Sequence, residues 1–145
     1  MTRSSSLVLT LLTGALLGGC AEKAPEAAEA TEVVAETVER ASYTDISVAE
    51  LQTMLASKDF PLVNVHVPFD GDLPSTDASI PYDQIAAHLD QLPADKNAKI
   101  VLYCRSGSMS VEAARTLADL GYTNVYNLVG GFNAWRDAGL PMAGR

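Results

Sequence analysis

The residues of this chain best suited to chemistry are Tyr103-Cys104-Arg105-Ser106-Gly107-Ser108-Met109-Ser110. A thiol stands at the end of an apolar run, Lys99-Ile100-Val101-Leu102-Tyr103, and a short polar loop with one glycine follows it. Such a loop can turn several backbone N–H groups toward the sulfur, and a helix beginning beyond it adds positive potential. Both effects favour thiolate over thiol, and the thiolate is the nucleophile. The same cradle suits an anion. The expectation is a nucleophilic Cys104 facing an anionic or polarised substrate, with Arg105, Ser106, Gly107, Ser108, Met109 and Ser110 as the binding loop. The alternative is an inert cysteine packed in the core.

Other reactive side chains are few. His66 follows an apolar run that can end at the same edge as Cys104; it either orients or deprotonates an acceptor, or is a structural histidine. His88 lies opposite the apolar positions of its segment and reads as a surface residue. Asp70, Asp72 and Asp77 do not have the spacing of a calcium loop and read as turn formers.

These side chains need a scaffold. Ser47-x-x-Glu50 is a capping box ahead of Leu51, Met54 and Leu55 at helical spacing. Leu62-Val63-Asn64-Val65 reads as a buried strand. Tyr82 to Leu92 reads as a helix with Ile85, Leu89 and Leu92 on one face, and Lys99 to Tyr103 as a second buried strand. Ser110 reads as the cap of a helix carrying Ala114, Leu117 and Leu120, stopped by Gly121. Asn124 to Leu128 is a further strand and Phe132 to Ala138 a last short helix. Alternating strands and helices with short loops predict an α/β fold: a central, mostly parallel sheet with helices on both faces and ligands at the carboxyl ends of the strands.

The loop Cys104-Arg105-Ser106-Gly107 resembles the active-site loop of rhodanese domains. The resemblance continues through Leu120-Gly121-Tyr122-Thr123-Asn124-Val125-Tyr126-Asn127-Leu128-Val129-Gly130-Gly131-Phe132-Asn133-Ala134-Trp135 and Ala138-Gly139-Leu140-Pro141. It covers roughly residues 43–145 and looks like a single-domain rhodanese; Gly130-Gly131 and Trp135 are read as turn and core. The resemblance implies sulfur transfer with no metal or organic cofactor. Cys104 would take a sulfur atom from a small donor as a persulfide and pass it to a thiol or cyanide-like acceptor, while the amides of Arg105 to Ser110 hold the persulfide and the departing anion. The alternative is a non-catalytic rhodanese-like module for sulfur carriage, redox sensing or protein binding. The chain departs from the usual pattern at three places: Met109 where many active relatives carry Arg, Asn64-Val65-His66 for Asp-Val-Arg, and Ala78-Ser79-Ile80-Pro81 for Gly-His-Ile-Pro. A phosphatase or arsenate reductase loop would need an Arg at the position of Ser110 to clamp an oxyanion.

The N-terminus predicts the compartment. Arg3, an apolar run from Leu7 to Leu17, and Gly18-Gly19-Cys20 make an export signal, too short to be a comfortable permanent span. Leu17-Gly18-Gly19-Cys20 resembles the lipobox of bacterial lipoproteins, which implies signal cleavage, a lipidated Cys20 and membrane anchoring. Ala21 favours the outer membrane if the host is Gram-negative. Residues 20–42 are an Ala/Glu-rich stretch, with Glu26, Glu29, Glu32, Glu36 and Glu39 at helical spacing, and read as an acidic tether. The predicted organisation is signal peptide 1–19, tether 20–42 and domain 43–145, in an extracytoplasmic location. With Cys20 assigned to lipid, Cys104 is an unpaired thiol rather than half of a disulfide. The net charge of −8, with ten basic residues scattered along the chain, excludes a nucleic-acid binder.

Overall fold

A computed structural model of the chain describes residues 42–144; the expected export signal, Cys20 and nearly all of the expected tether lie outside them. Runs such as Leu62-Val63-Asn64 and Ile100-Val101-Leu102-Tyr103 are buried at every position, the mark of strands covered on both faces. They form β2 (Leu62–Asn64) and β4 (Ile100–Tyr103), at the centre of a sheet with β1 (Thr44–Ile46), β3 (Ala78–Ser79) and β5 (Val125–Leu128) in the order β1-β5-β4-β2-β3. Every pairing is parallel. All carboxyl ends therefore lie along one edge, which is where such sheets hold ligands.

Side chains alternate across the pleat and divide the core in two. Ile100, Leu102 and Cys104 share one face with Val63, Val65 and Val125. That face is covered by α2 (Ser108–Asp119), through Ala113, Ala114 and Leu117, and by Ile85 and Leu92. Val101 and Tyr103 point the other way, among Leu51 of α1 (Val48–Leu55) and Phe132 and Trp135 of α3 (Gly131–Asp137). Full burial of a side chain of this size is worth about 1.5–3 kcal/mol, so these two layers hold the strand ends in place. The capping box forms: Ser47 N–H donates to Glu50 Oε2 at 2.7 Å, and Glu50 N–H to Ser47 Oγ at 3.3 Å.

Four local expectations need correction. The segment Tyr82 to Leu92 is two 3-10 turns, Tyr82–Ala87 and Leu89–Gln91. His88 between them lies at φ −121°, ψ 34°, which breaks helical geometry, and it is half-buried rather than fully solvated. Helix α2 begins at Ser108 instead of capping on Ser110, because Gly107 takes a left-handed conformation (φ 101°) and starts the turn earlier. Leu120 is exposed, and Ala113 and Ala118 fill the buried stripe in its stead. Strands β1 and β3 were not anticipated.

Candidate active site

Cys104 is the first residue beyond β4 and is 1% exposed. The pleat aims it at the face that α2 covers, so the helix N-terminus lies over its sulfur. Gly107 N–H donates to Cys104 Sγ at 3.1 Å. Ser110, buried on the first turn of α2, places its hydroxyl 3.5 Å from Sγ and donates to the Gly107 carbonyl at 3.1 Å. The first bond of the helical ladder runs from Val111 N–H to Gly107 C=O at 3.1 Å, so the N–H groups of Ser108, Met109 and Ser110 precede it and remain available to an anion. Arg105 and Ser106 are exposed at the mouth, and Met109 is half-buried against the core beside Cys104.

An N–H cradle also requires its carbonyls to face elsewhere, and α3 arranges this. Phe132 N–H donates to Cys104 C=O at 2.9 Å and Asn133 N–H to Arg105 C=O at 3.0 Å. The approach is possible only because position 131 is glycine: a Cβ there would lie 2.1 Å from the Cys104 carbonyl oxygen. Gly131 is also left-handed, at φ 55°. The Gly-Gly pair read from the sequence as a turn therefore also lets α3 clamp the loop after Cys104.

The other wall rises from β2. Asn64, buried, donates through Nδ2 to Gly71 C=O at 3.0 Å and to Asp72 Oδ1 at 2.9 Å, while its Oδ1 accepts from His66 N–H at 3.0 Å. One side chain thus ties both ends of the loop from His66 to Asp72. Tyr103, the neighbour of Cys104, braces the same segment from the opposite face: its hydroxyl accepts from Leu73 N–H at 3.0 Å and donates to Asp72 Oδ1 at 3.1 Å. Burial pushes the Tyr103 phenol well above its ordinary range, so it stays neutral.

His66 stands edge-on to the Phe132 ring, with centroids 5.5 Å apart. Burial lowers its pKa; Asp70 opposes that shift and Arg105 adds to it. Its Nδ1 is buried without a partner. The Arg136 guanidinium covers the Phe132 ring at 4.6 Å and lies 3.9 Å from Asp70. The structure therefore joins His66 and the Cys104 loop through Phe132 and Arg105. The aspartates serve the chain itself: Asp72 as above, and Asp77 accepting from Leu62 N–H at 2.7 Å. Among the described residues no three His, Cys, Asp or Glu side chains gather as metal ligands. Sequence reasoning missed Asn64, Phe132 and Asn133 as builders of the site, since two of them act through backbone N–H groups, which residue type does not reveal.

Comparison with known proteins gives concordant relatives. Residues 47–138 match the family described as rhodanese-like domain. A sulfurtransferase of Allochromatium vinosum is 34% identical over 94 residues, 63% of this chain and 85% of that protein. A thiosulfate sulfurtransferase of Actinobacillus succinogenes is 46% identical over 43 residues, 30% of this chain and only 39% of that one. Among solved structures, a protein of unknown function from Rhodopseudomonas palustris, described as a possible tyrosine phosphatase, superposes with a TM-score of 0.59 at 30% identity, covering 69% of this chain and 84% of that one.

Proposed function

Because this chain belongs to the rhodanese-like domain family, we propose that it transfers sulfane sulfur through a persulfide on Cys104. Sulfur transfer in general is what its sulfurtransferase relatives support. The observation that carries the assignment to this residue is the Gly107 N–H on Sγ at 3.1 Å, at the mouth of a helix N-terminus whose next three amides are free for an anion.

In the first half-reaction the Cys104 thiolate attacks the outer sulfur of a donor such as thiosulfate. The donor's S–S bond breaks, its electron pair leaves with sulfite, and Cys104 carries the persulfide. In the second, an acceptor thiolate or cyanide attacks the outer sulfur and the electron pair returns to Cys104. No net oxidant is needed. The amides of Arg105 to Ser110 hold the anionic sulfur and the leaving group. Arg105 supplies the loop's positive charge, because Met109 supplies none. Phosphoester chemistry is disfavoured: position 110 offers a hydroxyl already engaged with Gly107, not a bidentate guanidinium.

The proposal includes an extracytoplasmic, lipid-anchored setting, supported by Leu17-Gly18-Gly19-Cys20 and the acidic stretch after it. Cys20→Ser should release the protein from membranes; fractionation identical to wild type would remove the anchor from the proposal. The chemistry is tested by intact mass of the full chain after exposure to thiosulfate or polysulfide. One added sulfur atom, lost to cyanide and absent in Cys104→Ser, is the expected result. A thiol that alkylates freely but gains no sulfur would favour a sensing or binding module.

A further inference from the structure

A second polar site lies on the α2 face of the sheet, at its β1–β5 edge. Parallel register sets Asp45 against Asn127, so both side chains point to one face, the face on which Val125 packs beneath α2. Asn127 is 2% exposed. Its Nδ2 donates to Asp45 Oδ1 at 2.7 Å, and its Oδ1 has no partner. The bond to a carboxylate fixes the orientation of the amide, since the flipped form would set two acceptors against each other. A buried acceptor without a donor is costly and calls for a ligand or another explanation.

Asn127 and Asp45 line an open cleft of about 470 Å³, and Glu112 and Arg115 of α2 line it too. That volume falls in the range of small-molecule sites. None of the three charged side chains forms an ion pair among the described residues. Asn127 brings an unpartnered acceptor to this lining, and Asp45 and Glu112 bring carboxylates; together they ask for a donor-rich cation. An ammonium, with three N–H donors, can serve Asp45 and the Asn127 oxygen together. Arg115 asks for an anion in the same space. The cleft also touches Ser106, Gly107 and Ser108 of the loop after Cys104, and the Gly107 N–H donates to Cys104 Sγ, so the cleft borders the cradle of the sulfur.

We propose that this cleft binds a small zwitterion of the amino-acid or short-peptide class, with its ammonium on Asp45 and Asn127 and its carboxylate on Arg115. Occupancy is felt at the Gly107 amide. The site depends on no chemistry at Cys104, so its failure would leave the sulfur-transfer proposal standing.

The probe is glycylglycine, titrated into the full nitrogen-15-labelled chain and followed by NMR at the Asn127 side-chain amide and the Gly107 backbone amide. Saturable shifts at both, in the millimolar range, are expected. N-acetylglycylglycine, which lacks the ammonium, should bind about tenfold more weakly, as should Asp45→Asn with the parent dipeptide. Glycylglycinamide should lose the contribution of Arg115 and bind no differently to Arg115→Gln than to wild type. Asp45 and Arg115 are exposed, so both variants should keep the wild-type spectrum elsewhere. Absence of a saturable shift, or equal binding of the acetylated dipeptide, would overturn the proposal.

Discussion

Phe132 holds Cys104 by the backbone: its N–H donates to the Cys104 carbonyl at 2.9 Å, while its ring meets His66 edge-on and lies under Arg136. The residue that would carry sulfur is thus positioned by a helix that begins at Gly131, beyond β5. With its carbonyl oriented by that helix, the loop presents N–H groups to the sulfur.

Gly131→Ala should break this arrangement. The added methyl would sit 2.1 Å from the Cys104 oxygen, and the loop would have to move. A loss of about 2–4 kcal/mol in urea unfolding is expected, together with loss of sulfur uptake in the fraction that stays folded. Gly139→Ala is the control: it is also left-handed but meets nothing within 4 Å, so only the backbone cost of about 1 kcal/mol should appear.

Ser110→Ala removes one donor to Sγ and one bond to Gly107. Stability should fall by about 0.5–1.5 kcal/mol. The rate of Cys104 alkylation by iodoacetamide at neutral pH should drop several-fold. An unchanged rate would show that the hydroxyl serves only the helix turn.

His66 makes stability depend on pH. Its folded pKa lies below the ordinary 6.5 because burial disfavours the imidazolium. Between the two values the unfolded chain binds more protons than the folded one, so protons favour unfolding. The neutral-ring contribution is complete above 6.5 and is lost as pH falls from 6.5 toward the folded pKa. The urea midpoint of wild type should decline over that window more steeply than that of His66→Gln. Parallel profiles would assign the slope to other groups.

Tyr103→Phe deletes the hydroxyl that receives Leu73 N–H and reaches Asp72. Leu73 N–H then loses its acceptor in the core, at a cost of about 1–3 kcal/mol. Hydrogen exchange at Leu73 should accelerate while the amides of β4 stay protected. Uniform acceleration would instead mean that the hydroxyl supports the whole fold.

What the sequence made legible follows the strength of local signals. β4, the loop after Cys104 and α2 were readable because an apolar run, a glycine and a helical stripe follow one another within about twenty residues. β1 and β3 were not: they are three and two residues long, and only Ile46 among them is buried. They exist as strands because β5 and β2 offer them an edge, which is a non-local fact. The segment at Tyr82–Gln91 kept the apolar spacing of a helix but not its geometry. Ser110 was expected to cap α2 and instead sits inside its first turn, since the left-handed conformation of Gly107 cannot be deduced from its neighbours alone. The Asp45–Asn127 pair joins distant parts of the sequence across two strands and leaves no local trace.

The dependence of the loop on Gly131, Phe132 and Asn133 sets an order of assembly during synthesis. A ribosome releases the cysteine well before it releases the helix that orients the loop around it. Nascent or prematurely terminated chains ending before Gly130 would therefore carry the thiol without its finished cradle. The cradle is thus finished only once residues 131–133 have emerged, when the strands and helices before them can already shield the sulfur.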